Sequence, residues 1–192
     1  QESLRSKYGN DRITYIQSDV RSDEDTHSLF DPDKRHAAGL PREVHAASLN
    51  AGIFGEAGPD RVLESLPVKS FESVMNTNCT GPFRCIKEFS KAAAKTQVHN
   101  PSLLLIKSIY GSTGSLFSNT AYQVSKHGTM GLVRQSAIEM ARPNLKLKLK
   151  YPIRVNAVSP TFTDTALTKP LLKYDKVNKT ISDSNTTGKL AK

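Results

Sequence analysis

Four short apolar runs, each followed by a turn and then a helix-forming stretch, recur along this chain. Residues 12–18 carry Ile13, Tyr15 and Ile16; residues 44–49 carry Val44 and Leu49; residues 103–106 read Leu-Leu-Leu-Ile; residues 153–158 carry Ile153, Val155 and Val158. Between them lie stretches with apolar residues at helical spacing, over 22–30, about 70–95 and 121–141. A connection long enough to hold a helix brings the chain back to start the next strand in the same direction, so the strands should run parallel. The unbroken apolar run at 103–106 suits a strand covered on both faces. The expected class is α/β with a parallel sheet.

The 192 residues suit one domain, spanning 1–192, with a real core. A hydrophobic share of 37% is low for a globular chain, yet the apolar positions are too evenly spread for a disordered one. No apolar run approaches the ~20 residues that span a bilayer. The net charge of +9 is dispersed, with denser lysines at Lys146, Lys148 and Lys150 and at Lys169, Lys173, Lys176 and Lys179. No aromatic platform accompanies them, so the charge reads as solvated surface rather than a nucleic-acid or membrane site. Cys79 and Cys85 form no framework and fit reduced thiols in a cytoplasmic compartment. The five histidines lack metal-ligand spacing, so no metal is expected.

In parallel sheets of this kind, ligands lie beyond the carboxyl ends of the strands. Asp19, Asn50, Ser108 and Pro160 all follow strand ends and should share that edge. Tyr122 opens the next helix there, and Lys126 follows at i+4 on the same face. A phenol ordinarily titrates near ~10, and a neighbouring cation favours its phenolate. A tyrosine placed this way can act as a general acid or base. Read singly, each residue has another use. Asp19 fits a turn cap, Asn50 a loop anchor, and Ser112, Ser115 or Ser118 could stand in for Ser108. Asn78 sits inside a helical stretch where asparagine is a poor helix former, which favours a special role.

The landmarks Asp19-Val20, Asn50-Ala51-Gly52, Asn78 with Gly81, Ser108 with Gly111, Tyr122-x-x-x-Lys126, and the run from Arg154 to Pro160 ending in Thr165 occur in one order along the chain. Together they resemble the short-chain dehydrogenase/reductase family. The resemblance implies a Rossmann-like doubly wound parallel sheet and an NAD or NADP cofactor. It implies interconversion of a secondary alcohol and a ketone by hydride transfer. Tyr122 would be the acid/base and Lys126 would lower its pKa and bind the nicotinamide ribose. Ser108 would orient the substrate oxygen, and Asn78 would hold a water in a proton relay. Asp19 and Val20 would bind adenine, with Asn50, Ala51 and Gly52 on the adenosine side. Pro160, Thr161, Thr163 and Thr165 would line the nicotinamide. Segment 165–185 would form a lid, with Leu167, Leu171, Leu172, Tyr174, Phe54 and Phe117 making an apolar-leaning pocket around a small-molecule substrate. Full-length members would pair as homodimers or homotetramers.

The sequence also departs from the family. Its Gly-rich pyrophosphate loop, Thr-Gly-x-x-x-Gly-x-Gly, is not found, and both ends of the chain look cut. The expected sheet therefore lacks the first βαβ unit and the last strand, and the NAD-versus-NADP choice is unreadable. Leu49 stands where an asparagine is usual, Thr161 where a glycine follows Pro160, and Lys107 where a small or hydroxyl residue precedes Ser108. Residues 145–150 alternate Leu and Lys as an extended surface segment. These departures keep a second reading open, a non-catalytic relative that acts by protein–protein binding.

Overall fold

The computed structural model describes residues 2–9, 12–55, 63–114, 119–142, 148–169 and 175–184. Expectations for Phe117, for residues 145–147 and for Leu171, Leu172 and Tyr174 lie outside the described residues.

The elements are helices α1 (Glu2–Tyr8), α2 (Asp23–Phe30) and α3 (Pro32–Ala37), strand β1 (Ala46–Leu49), helices α4 (Val68–Met75) and α5 (Gly81–Thr96), strand β2 (Ser102–Ile106), helix α6 (Thr120–Ala141), strand β3 (Arg154–Val158) and helix α7 (Asp175–Ser184). The sheet is parallel, in the order β1-β2-β3. Leu103 lies opposite Ala47 on one side and Val155 on the other. The central place of β2 follows from its side chains: Leu103 and Leu105 are buried, and the strand has no polar residue beyond Ser102.

Local chemistry sets the helix starts. Ser22 caps α2, its Oγ accepting from Asp25 N at 3.1 Å, with Asp23, Glu24 and Asp25 in the positive first turn. Asp31 caps α3 in the same way, and Pro32 follows at the first helical position, where its missing N–H costs nothing. The core lies between the sheet and α2, α5 and α6. Phe30 meets Phe89 edge to face at 5.9 Å between centroids, and Cys85, Phe89, Ala92 and Ala93 form the inner stripe of α5. Gln97 ends α5 in the left-handed region and ties down the chain before β3, accepting from Lys150 N and donating to Lys148 O.

Two expectations need correction. Residues 12–18 form no strand; Tyr15 and Ile16 are 40% and 47% exposed. A strand is defined by its ladder, and among the described residues none lies beside this segment to complete one. The helix expected near 70–95 is two α-helices joined by a π turn over Asn76–Thr80. Helices α3 and α7 were not legible, because six residues and a polar Lys/Thr-rich stretch carry little periodicity. Among the described residues no helix is long and apolar enough to cross a membrane.

Candidate active site

Tyr122 and Lys126 stand one turn apart at the start of α6, on its buried face with Ser125, Thr129, Val133 and Ser136. Asn119 caps this helix, its Oδ1 accepting from Tyr122 N at 3.2 Å. Ser108 ends the extension of β2, and its side chain hydrogen-bonds the Tyr122 phenol and accepts from Tyr110 N. The Lys126 ammonium donates to Ile106 O at 2.9 Å. These side chains open onto a cavity of about 260 Å³. Asn50, Gly52, Pro160, Thr161, Thr163 and Thr165 line it as well, and among the described residues no carboxylate does.

Burial governs both titrations. It raises the Tyr122 phenol; the Ser108 hydrogen bond opposes this and Tyr110 adds to it. It lowers Lys126 from 10.5 to about 8. Removing the charged form from water is unfavourable for either group, so a phenol moves up and an ammonium down. The expected lowering of the Tyr122 pKa by Lys126 is therefore not what the fold produces: burial raises the phenol, and the side chains acting on it are Ser108 and Tyr110.

The helix interruption has a local cause and a consequence. Asn78 is 1% exposed and lies within the π turn. Its Oδ1 accepts from Ile53 N at 2.8 Å, and its Nδ2 donates to Ile53 O at 2.8 Å and to Ser125 Oγ at 3.1 Å. The Asn78 main-chain oxygen accepts from Thr129 Oγ1 at 3.0 Å. One side chain therefore fastens the loop after β1 to α6. Such bulges free backbone groups for other partners, and here the partner is the helix bearing the tyrosine. A Cβ at Gly52 would lie 3.4 Å from Asn78 Oδ1 and 3.7 Å from Lys126 Nζ, so this loop passes directly over both.

Some of the residues expected on the adenosine side border a second cavity. Val20, Asn50 and Ala51 line this cavity of about 290 Å³ with Leu29, Val44, Leu49 and Pro82. Val20 lies close enough to α5 that a Cβ at Gly81 would meet its Cγ2 at 2.9 Å. Asp19 is forked by its neighbour: Arg21 Nε and NH2 donate to its carboxylate, which is held down at about 2. Of the expected site residues, Ser108, Tyr122, Lys126, Asn50, Gly52, Pro160, Thr161, Thr163 and Thr165 thus share one cavity. Asp19, Val20 and Ala51 do not line it. Asn78 stands behind it.

Several contributors carried no motif. Tyr110 and Phe162 pack at 5.8 Å across the cavity floor. Phe54, expected with Leu167 in an apolar-leaning pocket, lies against Tyr122 and lines the cavity with Leu167. Lys107 is 4% exposed and donates to Ser112 Oγ at 2.6 Å. Burial lowers its pKa, and Arg134 pushes the same way. Asn119 was legible as a helix cap had the start of α6 been placed one residue earlier.

A Rossmann-like parallel sheet with serine, tyrosine and lysine converging beyond its carboxyl edge defines a class of α/β proteins. The chain belongs to the short-chain dehydrogenase/reductase family: the family model described as enoyl-(acyl carrier protein) reductase matches residues 1–192. Among curated relatives, (+)-cis,trans-nepetalactol synthase NEPS2 of Nepeta racemosa is 27% identical over 168 residues, covering 88% of this chain and 56% of that protein. Secoisolariciresinol dehydrogenase of Forsythia intermedia is 29% identical over 167 residues, covering 87% and 54%. The chain thus spans about half the length of the curated relatives it matches. The solved structure of ElxO with NADP bound shares the fold, with a TM-score of 0.75 at 24% identity, covering 99% of this chain and 71% of that one.

Proposed function

We propose that this chain is part of a single-domain NAD(P)-dependent oxidoreductase that interconverts a secondary alcohol and a ketone, with Tyr122 as acid/base. The observation that carries this is the burial of Tyr122, Ser108 and Lys126 together on one cavity. The donor set fits the nicotinamide end of such a cofactor. Lys126 and Asn50 suit ribose hydroxyls, and Thr161, Thr163 and Thr165 suit a carboxamide. The secoisolariciresinol dehydrogenase relative and the NADP-bound neighbour support the reading.

When bound, the cofactor supplies or accepts the hydride. The protein's share is positioning and one proton. In the reducing direction Ser108 holds the carbonyl oxygen against the phenol and Tyr122 gives it a proton; in the oxidising direction Tyr122 takes the proton from the alcohol. Lys126 stabilises the transient phenolate, and Asn78 keeps the loop over Lys126 in place for a water-borne relay. Val20 and Asp19 would face adenine, with Ala51 beside them. Exposed Phe83 on α5 and Val124 and Ile138 on α6 offer a face for a second copy.

Titrating the chain with NADH and NADPH by fluorescence, with ketone turnover as a second readout, tests this. Binding that Lys126→Ala weakens, and turnover that Tyr122→Phe abolishes, are the expected results. A chain that binds neither nucleotide favours the second reading, a non-catalytic partner-binding relative, for which the engaged Asp19–Arg21 fork is the supporting observation.

A further inference from the structure

Asn119 uses both ends of its amide. Its Oδ1 caps α6 at Tyr122 N, and its Nδ2 donates to Phe54 O at 3.2 Å, across 65 positions of sequence. The Phe54 ring lies against the Tyr122 ring, 4.7 Å between centroids at 43°. Both rings line the cavity. Phe54 follows Ile53, whose N and O are both held by Asn78. Two successive residues of the loop after β1 are therefore fastened by asparagines, one from the π turn before α5 and one from the start of α6.

We propose that Asn119 is a positioning residue of the active site, seating the Phe54 ring as the wall against Tyr122 through its bond to the Phe54 carbonyl. This rests on reading Tyr122 as the acid/base. Asparagine suits the place because it joins an acceptor for the cap to an amide donor for the loop. Aspartate would keep the first and lose the second. Phe54 shields one side of the phenol from water and sets an apolar surface beside the reacting oxygen. A substrate carbonyl would accordingly carry an apolar substituent on that side. The other groups facing the phenol are the Lys126 ammonium, 5.5 Å from the ring centre, the Ser108 side chain and Tyr110. The two hydrogen bonds of Asn119 described above go to Phe54 and to Tyr122 N.

The test uses the whole chain with its six tyrosines replaced by 3-fluorotyrosine, read by fluorine NMR at neutral pH. The Tyr122 resonance is the one lost in Tyr122→Phe. Phe54→Leu should move it by removing the aromatic ring current. Asn119→Asp should move it in the same direction while the thermal midpoint falls by less than in Asn119→Ala, because aspartate still caps although it sets a carboxylate against the Phe54 carbonyl. The Phe54→Leu/Asn119→Asp double variant should shift no further than Phe54→Leu. The proposal fails if Asn119→Asp leaves the resonance in place or if the two shifts simply add. It also fails if the shift comes with a fall in midpoint equal to that of Asn119→Ala, which makes Asn119 a cap alone. The readout needs neither cofactor nor turnover. A negative nucleotide titration with intact Phe54 coupling would therefore sink only the oxidoreductase reading, and the reverse result only this one.

Discussion

The Lys126 ammonium lies 5.5 Å from the centre of the Tyr122 ring, and both side chains are more than nine-tenths buried. The cation faces the π-cloud while donating to the Ile106 carbonyl. A buried ammonium with no carboxylate among the described lining residues is costly, and its lowered pKa follows from that burial.

This gives a signed pH dependence. An unfolded lysine binds its proton below 10.5 and the folded Lys126 only below about 8, so between those values the unfolded chain holds more protons. Stability from this group therefore rises with pH from about 8 to 10.5 and is lost as pH falls through that window. Lys126→Met keeps the stem and removes the charge. It should be more stable than wild type at pH 7, by up to ~3 kcal/mol, and the difference should vanish by pH 10.5. Urea unfolding at a series of pH values measures it; equal stabilities at pH 7 would refute the assignment.

Asn78→Asp should cost about 2–4 kcal/mol, because it removes both amide donors and sets a carboxylate against the Ile53 carbonyl. The Ile53 amide, which donates to Asn78 Oδ1, reports locally by hydrogen exchange. Protection unchanged from wild type would show that the loop after β1 is held by something else.

Gly111 and Gly114 make an internal comparison. A Cβ at Gly111 would sit 2.5 Å from the Lys126 carbonyl oxygen, whereas one at Gly114 meets nothing within 4 Å among the described residues. Gly111→Ala should destabilise by about 1–3 kcal/mol, since backbone must shift. Gly114→Ala should be near neutral. Thermal midpoints of the two variants decide it, and equal midpoints would contradict the packing described.

Arg21→Ala should release Asp19. Its carboxyl, now held at about 2 chiefly by the Arg21 side chain, should titrate higher, towards the ordinary 3.8, while the main-chain N–H of residue 21 still donates to it. Carbon NMR of the Asp19 carboxyl follows this directly. A midpoint still near 2 would place the cause in other groups.

The sequence by itself determined the elements whose chemistry is local. The cap at Ser22, the buried strand read at 103–106, the i, i+4 pair Tyr122 and Lys126, and the order of strand ends along one edge follow from side-chain type and spacing, which neighbouring residues enforce. Residues 12–18 show where this stops: their composition favours a strand, but a strand requires a partner ladder that local sequence cannot supply. The same holds at the site. Asn78 was conspicuous as a poor helix former, yet only the fold showed that its amide reaches across 25 positions to Ile53 and 47 to Ser125. Phe54 was expected in the pocket on its apolar character alone, and Asn119 and Phe162 carried no motif at all. Their roles arise from contacts between segments far apart in the chain, and the folded packing alone brings those segments within hydrogen-bond reach. The direction of the Tyr122 and Lys126 shifts was likewise a tertiary outcome, because burial, the leading cause for both, is a property of the assembled core and not of the helix that carries them.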